Sequence, residues 1–184
     1  MERKPMTEKL ELPQGVEARI EDTILRVKGP KGEASKKLLH PLVSISFEHN
    51  MVRLDAKKNT KREKKIMGSF KAHIKNMVKG VTQGHFYKMK ICSGHFPMSV
   101  SVVKDELVIK NFFGERTPRK LRLSPGVVFK VDGDIITIES VDKELAGQTA
   151  NSIETLCRKN RRGFDKRIFQ DGIFIINKDG KEIR

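Results

Sequence analysis

The sequence predicts an α+β protein of two tandem similar domains, each a small, mostly antiparallel sheet with one helix packed on it. Three observations lead there. Short alternating apolar segments are separated by Gly and Pro turns. Each series of such segments ends in one longer segment with helical apolar spacing. The whole plan then occurs twice within 184 residues. Strands followed by a helix, rather than alternating with helices, give a sheet covered on one face.

In the first half, 16–21 and 23–28 alternate like a hairpin, and Gly29-Pro30-Lys31-Gly32 has turn chemistry. Segments 43–47 and 51–55 pair across Glu48-His49-Asn50. A helix is expected over about 61–81, where Ile66, Phe70, Ile74, Met77, Val78 and Val81 fall at helical spacing and Lys64, Lys71, Lys75 and Lys79 face away. In the second half, strands are expected near 98–104, 106–111, 116–122, 127–131 and 135–139, and a helix at about 142–158. The halves align in order. Lys28, Gly32 and Glu33 match Lys110, Gly114 and Glu115 at an offset of 82; Pro41 matches Pro125 at 84; Gly68 matches Gly147 at 79. Three ordered matches with so little drift point to an internal duplication. The expected organisation is a polar arm at 1–13, repeats at 14–93 and 94–176, and a tail at 177–184. Gly and Pro in Ser93-Gly94-His95-Phe96-Pro97 mark the joint.

Composition excludes several classes. The longest unbroken apolar run is Ile173-Phe174-Ile175-Ile176, too short to span a bilayer. Met1-Glu2-Arg3-Lys4-Pro5 opens no apolar signal region. Cys92 and Cys157 stand alone, which suits a reducing cytosol. Cys92 and His95 offer two zinc ligands with no second pair to complete four. Against 23 acids stand 38 Lys plus Arg, a net charge of +15, so the counter-surface is a polyanion.

No enzyme motif is present. The phosphate-binding G-x-x-x-x-G-K-[ST] and the nucleophile-bearing G-x-S-x-G are absent, and the Gly29/Gly32 pair opens no helix. It resembles the G-x-x-G clamp of KH domains but lacks the flanking helices, so a tight hairpin with a basic tip is the better reading. Arg162-Gly163-Phe164 starts like an RRM stacking motif, but Asp165, Lys166 and Arg167 depart from it.

Clustered charge remains. Lys57, Lys58, Lys61, Arg62, Lys64 and Lys65 place six cations in nine residues at the start of the first helix. Arg158, Lys159, Arg161, Arg162, Lys166 and Arg167 place six in ten after the second. Arg116, Arg119, Lys120 and Arg122 add four in seven. Cations after a helix are favoured by its dipole, whereas those at 57–65 oppose it and call for an anion. Arg-rich loops beside Gly163, Phe164 and Phe169 suit phosphate forks with limited base stacking.

Val27-Lys28-Gly29-Pro30-Lys31-Gly32-Glu33, the duplicated plan and Arg167-x-Phe169-x-Asp171-Gly172-Ile173 together resemble the family of the sixth protein of the large ribosomal subunit, in its archaeal and eukaryotic branch. The resemblance covers residues 6–178. Phe174 departs from it, since many relatives carry Tyr there, as does Gly163-Phe164, where relatives often carry Lys and Asn. What the resemblance implies is a cytoplasmic, non-catalytic ribosomal protein without cofactor, metal or membrane. Its partners would be large-subunit rRNA near the sarcin–ricin loop, neighbouring ribosomal proteins, and translational GTPases docking nearby. Arg158, Lys159, Arg161, Arg162, Lys166 and Arg167 would be the phosphate partners, with Phe169, Asp171 and Gly172 shaping the turn that presents them. Lys57–Lys65 would meet another rRNA segment or a neighbouring protein. The competing reading is a free cytosolic RNA chaperone or a small DNA-architectural protein.

Overall fold

The computed structural model describes residues 5–21, 23–48, 51–94, 96–158 and 170–183. Two compact units divide it, Met1–Gly84 and His85–Arg184.

The first unit runs β1 (Met6–Glu11), β2 (Glu17–Glu21), β3 (Ile24–Gly29), β4 (Gly32–Lys37), β5 (Val43–Glu48), β6 (Met51–Ala56) and α1 (Lys61–Thr82). Its strands form two antiparallel three-stranded sheets, β2-β3-β4 and β1-β6-β5. Alternation decides what is buried: Leu25 and Val27 of β3, and Val52, Leu54 and Ala56 of β6, point inward, where Met67, Ile74 and Val81 of α1 meet them. Each fully buried side chain of this size contributes about 1.5–3 kcal/mol.

The second unit runs β7 (His85–Cys92), β8 (Ser99–Val103), β9 (Glu106–Lys110), a 3-10 turn at Phe112–Gly114, β10 (Arg119–Arg122), β11 (Val127–Asp132), β12 (Ile135–Ser140), α2 (Lys143–Leu156), β13 (Gly172–Lys178) and β14 (Lys181–Glu182). It too has two sheets, β8-β9-β10 and the five-stranded β11-β12-β7-β13-β14. Tyr87, Met89, Ile91, Leu107, Ile109, Ile136, Ile138 and Ile173 join Ala146, Ala150 and Ile153 of α2 in one core.

The fold class is the predicted one, with the sheet of each unit split in two. The units share topology element for element, β1 to α1 against β7 to α2. Pairing of β1 on β6, from Met6↔Ala56 to Glu11↔Met51, recurs as His85↔Ser140 to Lys90↔Ile135 of β7 on β12. The repeat therefore starts one strand earlier than the joint expected at residue 93. Gly84, at φ 81°, ends α1, and its N–H donates to the Gly80 carbonyl at 3.0 Å. The next strand is central to the second sheet and sends Tyr87, Met89 and Ile91 into that unit's core. The expected polar arm contains β1, and the expected tail contains the end of β13 and β14. With the boundary at residue 84, the first unit has 19 cations and 10 acids (+9) and the second 19 and 13 (+6). The charge is thus shared more evenly than a division at 93 gives (+11 and +4).

Burial pushes the Cys157 thiol up to about 11, whereas Cys92 is half-buried. Only the thiolate is nucleophilic. In the native protein at pH 8, iodoacetamide should label Cys92 and leave Cys157 unmodified until the fold opens, as peptide mass spectrometry over time would read. A fragment spanning 85–184 should melt cooperatively by circular dichroism, and one spanning 94–184, which lacks β7, should not.

Candidate nucleic-acid interface

The first cationic cluster leaves β6 and enters α1 through a capping box. Thr60 N–H donates to Glu63 Oε2 at 2.9 Å, Glu63 N–H donates to Thr60 Oγ1 at 3.4 Å, and the Thr60 hydroxyl also donates to Glu63 Oε2. The box turns Glu63, the one acid of the segment, inward and buries it. Lys57, Lys58, Lys61, Arg62, Lys64 and Lys65 are all exposed, and among the described residues none of the six forms an ion pair. One carboxylate offsets part of the unfavourable helix-dipole interaction, on the order of 0.3–1 kcal/mol per charge, and the other cations are left facing solvent.

The hairpin Gly29-Pro30-Lys31-Gly32 packs against the far end of the same helix. Gly29 and Gly32 are paired across the two-residue turn, and Lys31 N–H donates to the Val81 carbonyl at 2.9 Å. A Cβ on Gly29 would lie 2.8 Å from Val81 Cγ2 and 2.9 Å from the Val81 carbonyl oxygen, so only glycine admits this approach. The motif is a helix cap with an exposed Lys31 side chain at its tip.

The matching turn of the second unit is longer and strained: Asn111 and Phe113 stand at φ 59° and 50°. A stack of side chains holds it. Phe113 meets Phe112 edge-on at 4.7 Å and Phe96 at 6.3 Å, and the Arg119 guanidinium lies 4.4 Å from the centre of the Phe112 ring. Arg119 binds Glu115 with two parallel contacts of 2.8 Å and donates from Nη1 to the Leu156 carbonyl at the end of α2. Its hydrogen bonds to Glu115 hold the guanidinium above its ordinary pKa. Arg119, expected among the RNA-binding cations, uses three of its five N–H groups inside the unit. Arg116 and Lys120 are exposed. The Glu115–Arg119 spacing is visible in the sequence, but the Leu156 carbonyl, 37 residues away, is not.

Arg158 is exposed just beyond α2, and its N–H donates to the Thr155 carbonyl at 2.9 Å. Lys159, Arg161, Arg162, Lys166 and Arg167, with Gly163, Phe164 and Phe169, lie outside the described residues. Where the chain resumes, buried Asp171 accepts from Gly94 N–H at 2.6 Å and Phe96 N–H at 3.3 Å. Gly172 sits beneath the Phe174 ring, whose tip would be 3.0 Å from a Cβ there.

These features define a class, a duplicated α+β protein whose exposed cations gather around the ends of its helices. Among the described residues, no group of three or more His, Cys, Asp or Glu could hold a metal ion. A family model described as ribosomal protein L6 matches residues 12–84 and again 96–162, so it covers both repeats. The chain is 44% identical over 172 residues to large ribosomal subunit protein uL6 of Methanobrevibacter smithii, covering 94% of this chain and 96% of that one. It is 42% identical over 170 residues to the uL6 of Methanothrix thermoacetophila, covering 92% and 96%. It is 39% identical over 178 residues to that of Nanoarchaeum equitans, covering 94% and 93%. The chain belongs to the ribosomal protein L6 family, and so to the ribosomal proteins rather than to any class of enzyme.

Arg119→Ala should destabilise the second unit by about 2–3 kcal/mol, since it removes the paired contacts to Glu115, the donor to the Leu156 carbonyl and the cation over the Phe112 ring together. For a unit of this size that is a fall in Tm of roughly 10 °C or more. Arg116→Ala, on an exposed turn, should stay within about 0.5 kcal/mol of the parent. Thermal melts of both variants check the contrast.

Proposed function

We propose that the chain is a structural constituent of the large ribosomal subunit in the cytoplasm, holding large-subunit rRNA through its basic clusters and touching neighbouring ribosomal proteins. The observation that carries this is the cluster at 57–65. Six exposed cations, none with an acidic partner among the described residues, crowd a helix start, an arrangement that a bound phosphate backbone stabilises. The similarity to uL6 chains over nearly the whole length supports the same reading. Arg158, Lys159, Arg161, Arg162, Lys166 and Arg167 form the principal contact, Arg116 and Lys120 add to it, and Arg119 positions the end of the helix from which that segment departs. The finer location, by the sarcin–ricin loop where translational GTPases dock, rests on the family resemblance.

Tagged protein in cell extract should co-sediment with large subunits on a sucrose gradient; a protein that stays at the top of the gradient is a free chaperone. Binding to structured rRNA should fall on the order of a thousandfold between 50 and 200 mM salt if six to ten phosphates are engaged. Arg161, Arg162 and Arg167 changed together to Glu should cost more affinity than Lys58, Lys61 and Lys64 changed together to Glu. Guanidinium forks grip phosphate oxygens in pairs, whereas lysines act as point charges. Both triples change the charge by the same amount, so equal losses in a filter-binding titration would favour long-range attraction over a local site.

A further inference from the structure

The duplication provides an internal control for one surface. In each unit the β1-type strand has one face toward the helix and core and one face outward. Glu8, on the inward face of β1, pairs with Lys71 of α1 at 2.6 Å, so Thr7, Lys9 and Glu11 point out. That outward face is polar and closed on itself: the Thr7 hydroxyl donates to Asp55 Oδ1 at 2.6 Å, and Arg53 Nε holds the same carboxylate at 2.8 Å.

At the equivalent positions of β7 stand Phe86, Lys88 and Lys90. Met51 of β6 becomes Ile135 of β12, and Ser44 of β5 becomes Val128 of β11. β13, which has no counterpart in the first unit, places Phe174 directly across from Lys90. Phe86 is 37% exposed, Phe174 41%, Ile135 43% and Val128 54%, so four large apolar side chains share one open sheet face. The folding of the repeat does not require Phe86, Ile135 or Val128, because its twin folds with Thr, Met and Ser in the aligned places.

We propose that the open face of β7 and β13 binds unpaired RNA bases, Phe86 and Phe174 stacking on them while Lys88 and Lys90 meet their phosphates. The proposal goes beyond the basic clusters and rests on the reading of the chain as an RNA-binding protein. Three features select this occupant over a protein. Along β7, Lys88 separates Phe86 from Lys90 at about 6.6–7 Å per step, and Phe174 stands beside Lys90 on β13, a mixture of rings and cations that suits a base-stacking platform. The core of a protein interface is depleted in lysine. The acids of the face are Asp132 on β11, Glu139 on β12 and Glu182 on β14, which the register sets across from Asn177 and so in line with Lys88, and Glu139 has a partner within the fold. Phe174 is also set in advance: its ring tip occupies the space over Gly172, where a Cβ would approach to 3.0 Å. A ring already ordered loses less entropy on stacking.

The test uses the full chain and two labelled probes in anisotropy titrations at one salt concentration: a single-stranded uridine decamer and a fully paired RNA hairpin. Phe86→Ala/Phe174→Ala should weaken the decamer about tenfold or more and leave the hairpin within about twofold. Phe86→Tyr/Phe174→Tyr, which keeps both rings, should bind the decamer like the parent. Lys88→Glu/Lys90→Glu should weaken it again, and this pair reads the same surface should the alanine pair fail to melt cooperatively. Unchanged decamer binding by the alanine pair, equal loss on both probes, or no rescue by tyrosine overturns the proposal. So does an alanine pair that holds the decamer normally but no longer sediments with large subunits, because the face then docks a protein. A parent chain that binds the hairpin but not the decamer overturns the platform and leaves the ribosomal reading intact; failure on the hairpin and on the gradient sinks that reading instead.

Discussion

Both units depend on one contact, between the last turn of the helix and the turn that follows the third strand of the repeat. A helix ends with carbonyls that have no partner within it, and burying them unsatisfied is costly. In the first unit the Lys31 N–H reaches the Val81 carbonyl because Gly29 lets the backbone come within van der Waals range of α1. In the second, the same task falls to the Arg119 side chain on the Leu156 carbonyl, across a turn too long for its own backbone to arrive. The contact fixes the end of the helix against a sheet, and with it the point from which the chain leaves for the basic segment at 158–167.

This duty explains why one cationic run contains two kinds of residue. Arg116 and Lys120 are solvent-facing, and Arg119 is bound on three sides, by Glu115, Phe112 and a main-chain carbonyl. Arginine suits the inner position because its planar fork grips Glu115 with two parallel bonds while a further N–H reaches the carbonyl, a geometry that a tetrahedral ammonium does not present. Counting charges along a sequence cannot separate the two roles. The separation depends on which carbonyl the fold brings within reach.

The legible part of the fold was whatever repeats locally. Strand alternation, the helical apolar spacing of α1 and α2 and the offsets of 79 to 84 gave the α+β class and the duplication. β1 and β7 were missed for a specific reason. Met6–Glu11 alternates Met, Glu and Leu with Thr, Lys and Glu, so its inward face carries Glu8 and reads as polar until Lys71 is seen beside it. His85–Cys92 alternates well, but its pairing partners are β12 and β13, at least 43 residues downstream. The candidate interface was legible at 57–65, where Thr60 and Glu63 already spell a capping box. It was illegible at Arg119 and on the open face of β7, where meaning comes from register across strands distant in the chain.

Duplication also frees one copy of a surface from the constraint the other keeps. In the first unit, hydrogen bonding from Thr7 holds the Asp55 carboxyl below its ordinary pKa, with Arg53 assisting. A folded-state pKa below the unfolded value means a contribution to stability that is present above the unfolded pKa and fades as pH falls through the folded one. That network ties β1 to β6, and among the described residues of the face no large ring is exposed. In the second unit, Phe86 replaces the Thr7 hydroxyl and Thr137 replaces the Arg53 guanidinium beside Glu139. The strand is instead secured from its other edge, where β13 pairs with it from Gly172↔Cys92 onward. An added strand that supplies edge hydrogen bonds releases the outward side chains from holding the sheet together. Rings and lysines stand at those positions.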